Sequence, residues 1–284
     1  MTDNSAAARA SAFSEVVTVD REWGTQAFRD LGTGRPLVLL HSLALSSEMW
    51  TPILDSFAGA RVIAVDLRGH GQSQWSGEQF NVEDLAGDVI ALADDLGLAE
   101  FDLLGLSMGG SVATLAGALA GDRIQRLVLS DTTAWYGPDA PAVWAKRAEA
   151  ALTPDRSTLL PFQRDRWFSP EFVVSGDDAV PLVSRIFAAT SGAAHAAACV
   201  ALGALDSRAR LGSTVADTLV ITGSEDYATP PEMAATISAA VPKSHLAIWP
   251  GLRHFGLLES PEFRETVTSF LRGGAIGTHW DVDR

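Results

Sequence analysis

Six short apolar runs recur along the chain: Pro36–Ser42 (PLVLLHS), Arg61–Asp66 (RVIAVD), Phe101–Ser107 (FDLLGLS), Arg126–Asp131 (RLVLSD), Thr218–Gly223 (TLVITG) and His245–Pro250 (HLAIWP). Each is too short for a helix, rich in leucine or β-branched residues, and apolar at consecutive rather than alternate positions. Strands of a parallel sheet covered on both faces read this way. Amphipathic stretches lie between the runs. One spans Asn81–Leu96, and Asn81 with Asp84 supplies a capping pair ahead of its apolar stripe. The opening EVVTVDREWGTQAFRDLG alternates in polarity and turns at Gly24, which predicts an antiparallel hairpin at a sheet edge. Strand–helix alternation of this kind gives a doubly wound, mostly parallel α/β sheet.

The alternation breaks over residues 133–211. This segment is helical in pattern, rich in Trp, Ala and Arg, and has no convincing strand. A helical insertion between two sheet strands predicts a lid over the strands' carboxyl ends, where open α/β sheets bind ligands. The plainer reading is a decoration that only covers apolar surface. The organisation expected is a disordered leader at 1–15, a core built from 16–132 and 212–272, the lid at 133–211 and a tail at 273–284.

Composition narrows the partners. The 284 residues are 47% hydrophobic and 20% charged, as in a globular chain with a substantial core. The formal net charge of −14 argues against nucleic acid or an anionic membrane, both of which need a basic patch. An anionic small substrate stays possible, since it needs only one or two local arginines. The single cysteine, Cys199, excludes an intrachain disulfide framework and a multi-cysteine zinc site. No zinc-ligand spacing or dinucleotide fingerprint appears, so neither metal nor cofactor is expected. The start MTDNSAAARASAFSEVV has no apolar core of signal-peptide length, and no apolar run reaches the ~18 residues of a membrane span. A soluble cytoplasmic protein acting on a small molecule is the expectation.

Gly105-Leu106-Ser107-Met108-Gly109 fits G-x-S-x-G, a pattern cheap enough that its setting must decide. FDLLGL before Ser107 reads as a strand and GGSVATLAGALA after Met108 as a helix. A tight turn between them would lift the serine hydroxyl above the sheet. Gly105 and Gly109 stand where a side chain would collide as strand and helix cross. A helix-capping serine would explain Ser107 but neither glycine.

A serine hydroxyl needs a base, itself oriented by an acid. TLVITGSEDYATP ends a strand and carries Glu225 and Asp226 into the following loop; HLAIWPGLRHFGLLESP ends the next strand, with His254 four residues after Pro250. Strand-end position is the functional signal for both. Asp226 is preferred to Glu225 on the spacing of GSED before Pro230, with Asp131 at the end of RLVLSD as the rival acid. His70 is expected to order its own turn, His245 starts a strand, and His279 lies in the tail. His41 ends LVLLH and is expected to hold the next loop in shape. That loop, HSLALSSEMW, is assigned one oxyanion donor, the N–H of Leu43 with Ser42 a close second; Met108 N–H is the other.

From about Phe13 to Leu271 the chain resembles the α/β-hydrolase fold family. The carriers are HSLALSSEMW, VIAVDLRGHGQS, GLSMGG, VITGSEDYATPP and PGLRHFGLLESPEF. The resemblance implies a Ser-Asp-His hydrolase, with Ser107 arguing against the aspartate-nucleophile epoxide hydrolases and dehalogenases. Within the family it is most similar to the 3-oxoadipate enol-lactonases of aromatic catabolism, through RWFSPEF (Arg166–Phe172), HAAACVALGALDSRARL (His195–Leu211), Trp144 with Arg147, and the HSLALSSEMW loop. Three positions depart: His195 stands where a tyrosine is usual, Ala44 where a glycine is common, and Trp135 where a smaller residue is usual. The implied activity is opening of a lactone or ester through an acyl-enzyme, with Trp135, Trp144, Arg147, Arg166 and His195 as candidate substrate contacts. A C–C bond hydrolase of aromatic ring-cleavage products and a ligand receptor on the same fold are the alternatives.

Overall fold

The computed structural model describes residues 13 and 15–274. Of the expected leader, residues 1–12 and 14 lie outside the described residues, as do residues 275–284 of the tail, with His279 among them. Phe13 is not a free leader residue: it is buried, and its carbonyl accepts from Arg29 Nη1 at 3.1 Å.

Eight strands form one sheet in the order β1-β2-β4-β3-β5-β6-β7-β8: Val17–Arg21, Gly24–Leu31, Arg35–Leu40, Ala60–Val65, Phe101–Leu106, Ile124–Ser130, Asp217–Gly223 and Ser244–Trp249 for β1 to β8. The six apolar runs are β3 to β8, all mutually parallel. β1 and β2 form the expected antiparallel hairpin at one edge. Its turn is Glu22–Trp23 rather than Gly24, which opens β2 at φ 143°.

Consecutive apolar residues serve two cores. Leu37 and Leu39 pack with Trp50, Ile53 and Leu54 of a 3-10 helix, Ser47–Phe57, and with Phe263 and Val267 of α10 (Pro261–Leu271). Val38 and Leu40 face the other way, onto Leu85 and Val89 of α1 (Val82–Asp95) and Val112 and Ala116 of α2 (Met108–Leu119). A strand lined on both sides cannot alternate with polar residues, which explains the runs. The Asn81–Asp84 capping box is present at the start of α1.

Between β6 and β7 the chain leaves the sheet for α3 (Ala140–Ala151), α4 (Leu160–Trp167), α5 (Pro170–Val174), α6 (Ala179–Ala189) and α7 (Gly192–Gly203). α8 (Pro231–Ala240) follows β7, and α9 (Gly256–Glu259) follows β8. α4 is tied to the loop after β8, since His254 and Phe255 N–H donate to Arg166 and Trp167 carbonyls. Among the described residues no single helix is long and apolar enough to cross a membrane.

Candidate active site

Ser107 alone makes the turn between β5 and α2. Its backbone sits at φ 57°, ψ −116°, a conformation that costs an L-residue about 1–3 kcal/mol and persists only where its surroundings impose it. They do: Ser107 N–H donates to Ser130 O at 2.9 Å, and Thr132 Oγ1 donates to Ser107 O at 2.7 Å. The glycines are demanded by space. A Cβ on Gly105 would lie 2.2 Å from Gly109 O, and one on Gly109 would lie 2.2 Å from Leu40 O. Ser107 makes no side-chain cap; its Oγ lies 2.8 Å from His254 Nε2.

His254 and Asp226 come from the loops after β8 and β7. The two loops pack closely, since a Cβ on Gly223 would lie 2.1 Å from Leu252 O. His254 Nδ1 is 2.8 Å from Asp226 Oδ2. Thr229 Oγ1 also donates to Oδ2, and the N–H groups of Ala228 and Thr229 donate to Oδ1. Burial alone would raise the Asp226 carboxyl, but the imidazole charge of His254 and these hydrogen bonds outweigh it and hold it below the usual carboxylate value. An ionised carboxylate only accepts, so Nδ1 carries the hydrogen and Nε2 turns its lone pair to the serine hydroxyl. Glu225 beside it is exposed.

Asp131 does not reach the imidazole. It is fully buried at the end of β6, accepting from Ser130 Oγ at 2.7 Å and Gly223 N–H at 3.1 Å. Burial, joined by the charge of Asp226, pushes its carboxyl well above the usual value.

Ser42 and Leu43 line the cavity onto which Ser107 opens. Neither Leu43 N–H nor Met108 N–H has a hydrogen-bond acceptor among the described residues. The loop is braced underneath by His41, whose Nδ1–H donates to Ser42 O at 2.8 Å while Nε2 accepts from Leu67 N–H at 3.0 Å. Ala44 takes φ 58°, a conformation that favours glycine, and is held there by Thr190 Oγ1 on its carbonyl. His70 orders its turn through Arg68 O, as expected.

The cavity itself is narrow, about 30 Å³, room for a water or two. Larger clefts of about 470 and 480 Å³ open elsewhere and contain none of Ser107, Asp226 and His254. Trp144, Arg147, Arg166 and His195 line the Ser107 cavity. Arg147 lies over the Trp144 ring at 4.2 Å and makes no hydrogen bond or ion pair among the described residues. Arg166 Nη2 donates to Tyr227 O at 2.6 Å. Trp135 is a correction: it is not in the cavity wall, but bridges to Asp206 with its ring under the Arg208 guanidinium at 3.8 Å. Its neighbour Tyr136 takes the wall position. Gln163, Phe187 and Leu202 were missed by sequence reasoning. Gln163 was findable, because it sits three residues before Arg166 on one face of α4. Among the described residues no His, Cys, Asp and Glu cluster could hold a metal ion.

Comparison with known proteins identifies the fold. Residues 35–261 match the alpha/beta hydrolase fold family. The 3-oxoadipate enol-lactonase 1 of Acinetobacter baylyi is 31% identical over 194 residues, 68% of this chain and 72% of that protein. The enol-lactonase of Burkholderia xenovorans superposes with a TM-score of 0.83 at 28% identity, covering 90% of this chain and 100% of that one. A hydrolase of Pseudomonas aeruginosa superposes with a TM-score of 0.84 at 30% identity, covering 91% and 98%. With the match running from β3 to the start of α10, through the serine turn and both strand-end loops, this chain belongs to the alpha/beta hydrolase fold family.

Proposed function

We propose that this protein is a serine hydrolase that opens a lactone or ester through an acyl-enzyme, with 3-oxoadipate enol-lactone or a related carboxylate-bearing enol-lactone as its substrate. In this reading His254 takes the Ser107 proton as Oγ attacks the ring carbonyl, and Asp226 stabilises the imidazolium that results. The oxyanion is met by the free N–H groups of Met108 and Leu43. The ring C–O bond breaks, the enolate oxygen leaves and is protonated, and the product end tautomerises to a ketone. Water, deprotonated by His254, then cleaves the serine ester and releases a keto-diacid. Such a leaving group is resonance-stabilised and needs little acid assistance. A lactone of this size exceeds the cavity as it stands, so its admission requires the helices between β6 and β7, or their side chains, to shift.

One observation carries the substrate class. Arg147 and Arg166 share the cavity with Ser107 in a chain of net charge −14, and among the described residues neither is ion-paired. A buried substrate carboxylate is expensive unless paired, and these two cations supply the pairing. The enol-lactonase relatives from Acinetobacter baylyi and Burkholderia xenovorans support the same choice. The test is kcat/KM for 3-oxoadipate enol-lactone against a neutral lactone of similar size, in wild type and in Ser107→Ala. The acidic lactone should be preferred, and Ser107→Ala should lose several powers of ten in kcat. A wild-type preference for the neutral lactone would remove the enol-lactone assignment and leave only an ester or lactone hydrolase.

A further inference from the structure

Arg156 is a buried cation with no carboxylate partner among the described residues. Its Nε and Nη2 donate to Phe187 O at 3.2 and 3.0 Å, Nη1 donates to Ala151 O at 2.9 Å, and the guanidinium lies over the Phe187 ring at 4.7 Å. Nη2 also meets His195 Nδ1 at 3.0 Å. His195, on α7, forms part of the cavity wall together with Ser107, Arg147 and His254.

That contact fixes the imidazole. A guanidinium has donors and no acceptor, so Nδ1 must offer its lone pair and the ring hydrogen must sit on Nε2. A second proton would set N–H against N–H. Burial first, then the positive charge of Arg156 and the neighbouring His70 and Arg147, push the His195 pKa down to about 2. Nε2 is thus a donor at every working pH, and it has no hydrogen-bond partner among the described residues. The Arg156 charge also draws electron density toward Nδ1. This strengthens Nε2–H as a donor without adding a charge to the cavity.

We infer that His195 Nε2–H is a substrate-binding donor for a carboxylate oxygen, acting beside Arg147, with Arg156 as the positioning residue that fixes its tautomer. The inference rests on the carboxylate-bearing substrate proposed above. Opening an enol-lactone leaves two carboxylates in one molecule, one formed at Ser107 and one to be held across the cavity. A locked donor takes an acceptor there and cannot serve a donor group.

The test is calorimetric titration of adipate, a dicarboxylate of the product's length, into wild type, Arg147→Ala, His195→Phe and His195→Gln. His195→Phe should weaken adipate about tenfold or more, the loss expected of one hydrogen bond to a charged acceptor. His195→Gln, whose amide can donate from the same side, should recover most of it. Equal affinity in His195→Phe and wild type, or equal weakness in Gln and Phe, overturns the inference. Affinity lost in Arg147→Ala but kept in His195→Phe overturns it while sparing the carboxylate reading. No adipate affinity in wild type overturns both. A second readout needs no ligand: ¹⁵N spectra at pH 7 should show His195 as the Nε2–H tautomer. A folded Arg156→Met protein should lose that single-tautomer pattern. An Nδ1–H ring in wild type overturns the assignment even if Arg156→Met does not fold.

Discussion

Asp131 and Asp226 stand at the ends of the neighbouring strands β6 and β7, both buried, and only Asp226 bonds to His254. Their environments divide the work: one carboxyl is held ionised by its imidazole and three donors, the other is pushed toward its neutral form by burial. Asp226→Asn should therefore lose several powers of ten in kcat, because an amide no longer holds the imidazole in the productive tautomer. Asp131→Asn should stay within a few-fold. If the two variants exchange these behaviours, the acid has been misassigned.

Asp131 also makes a stability prediction. In the unfolded chain its carboxyl ionises above about pH 3.8, while the folded carboxyl stays protonated to much higher pH. Native stability therefore falls as pH rises through that window. Asp131→Asn removes the effect, so its stability relative to wild type should improve between about pH 4 and pH 7. Urea midpoints at both pH values check this, and a difference that shrinks with rising pH contradicts it.

Three buried histidines act in the opposite direction. Burial lowers His41 to about 4, and burial joined by neighbouring charges lowers His70 to about 3 and His195 to about 2, from 6.5. A depressed histidine stabilises the fold above its unfolded pKa and loses that contribution as pH falls below it. Each contributes up to about 1.4 kcal/mol per pH unit, so together they contribute about 4 kcal/mol for each pH unit between pH 6 and pH 4. Measured in Asp131→Asn, where the offsetting carboxyl is gone, unfolding free energy should drop steeply below pH 6. A flat profile from pH 7 to pH 5 would rule out this account.

Glycines at the serine turn and on an open helix face should respond with opposite signs. Gly105→Ala and Gly109→Ala put a methyl 2.2 Å from backbone carbonyls that cannot move without displacing strand or helix. Both should destabilise by several kcal/mol and abolish hydrolysis. Gly87, exposed on α1, has nothing within 4 Å of its Cβ position. Gly87→Ala should stabilise by about 0.5–1 kcal/mol, by helix propensity. Thermal melts of the three variants decide it.

What the sequence made legible follows from locality. Ser107, Asp226 and His254 each lie at the end of an apolar run, and the sheet order carries those ends together. Parity was harder. Trp135 and Tyr136 are adjacent on extended chain, so their side chains face opposite ways, and only the bridge from Trp135 to Asp206 decides which one enters the cavity. Arg156 gave no local signal at all. Its partners Phe187 and His195 lie 31 and 39 residues downstream and meet it only through the packing of α6 and α7.

The two cavity arginines should separate by what else they hold. Arg166 donates to Tyr227 O, in the loop that carries Asp226, and its own carbonyl accepts from His254 N–H. Removing its side chain loosens the support of the acid as well as withdrawing a charge. Arg166→Ala should therefore lower kcat on both lactones, with a further loss on the acidic one, and lower the melting temperature. Among the described residues Arg147 has only the Trp144 ring beneath it, so its loss costs the fold little. Its guanidinium is free to meet a substrate carboxylate, a charged hydrogen bond of roughly 1.5–3 kcal/mol. Arg147→Ala should thus cut kcat/KM for the acidic lactone about tenfold to a hundredfold while changing the neutral lactone by less than about threefold. Kinetics on the lactone pair, with melts of both variants, test the division. Equal losses on both lactones in Arg147→Ala would mean that this arginine shapes the cavity rather than reading charge.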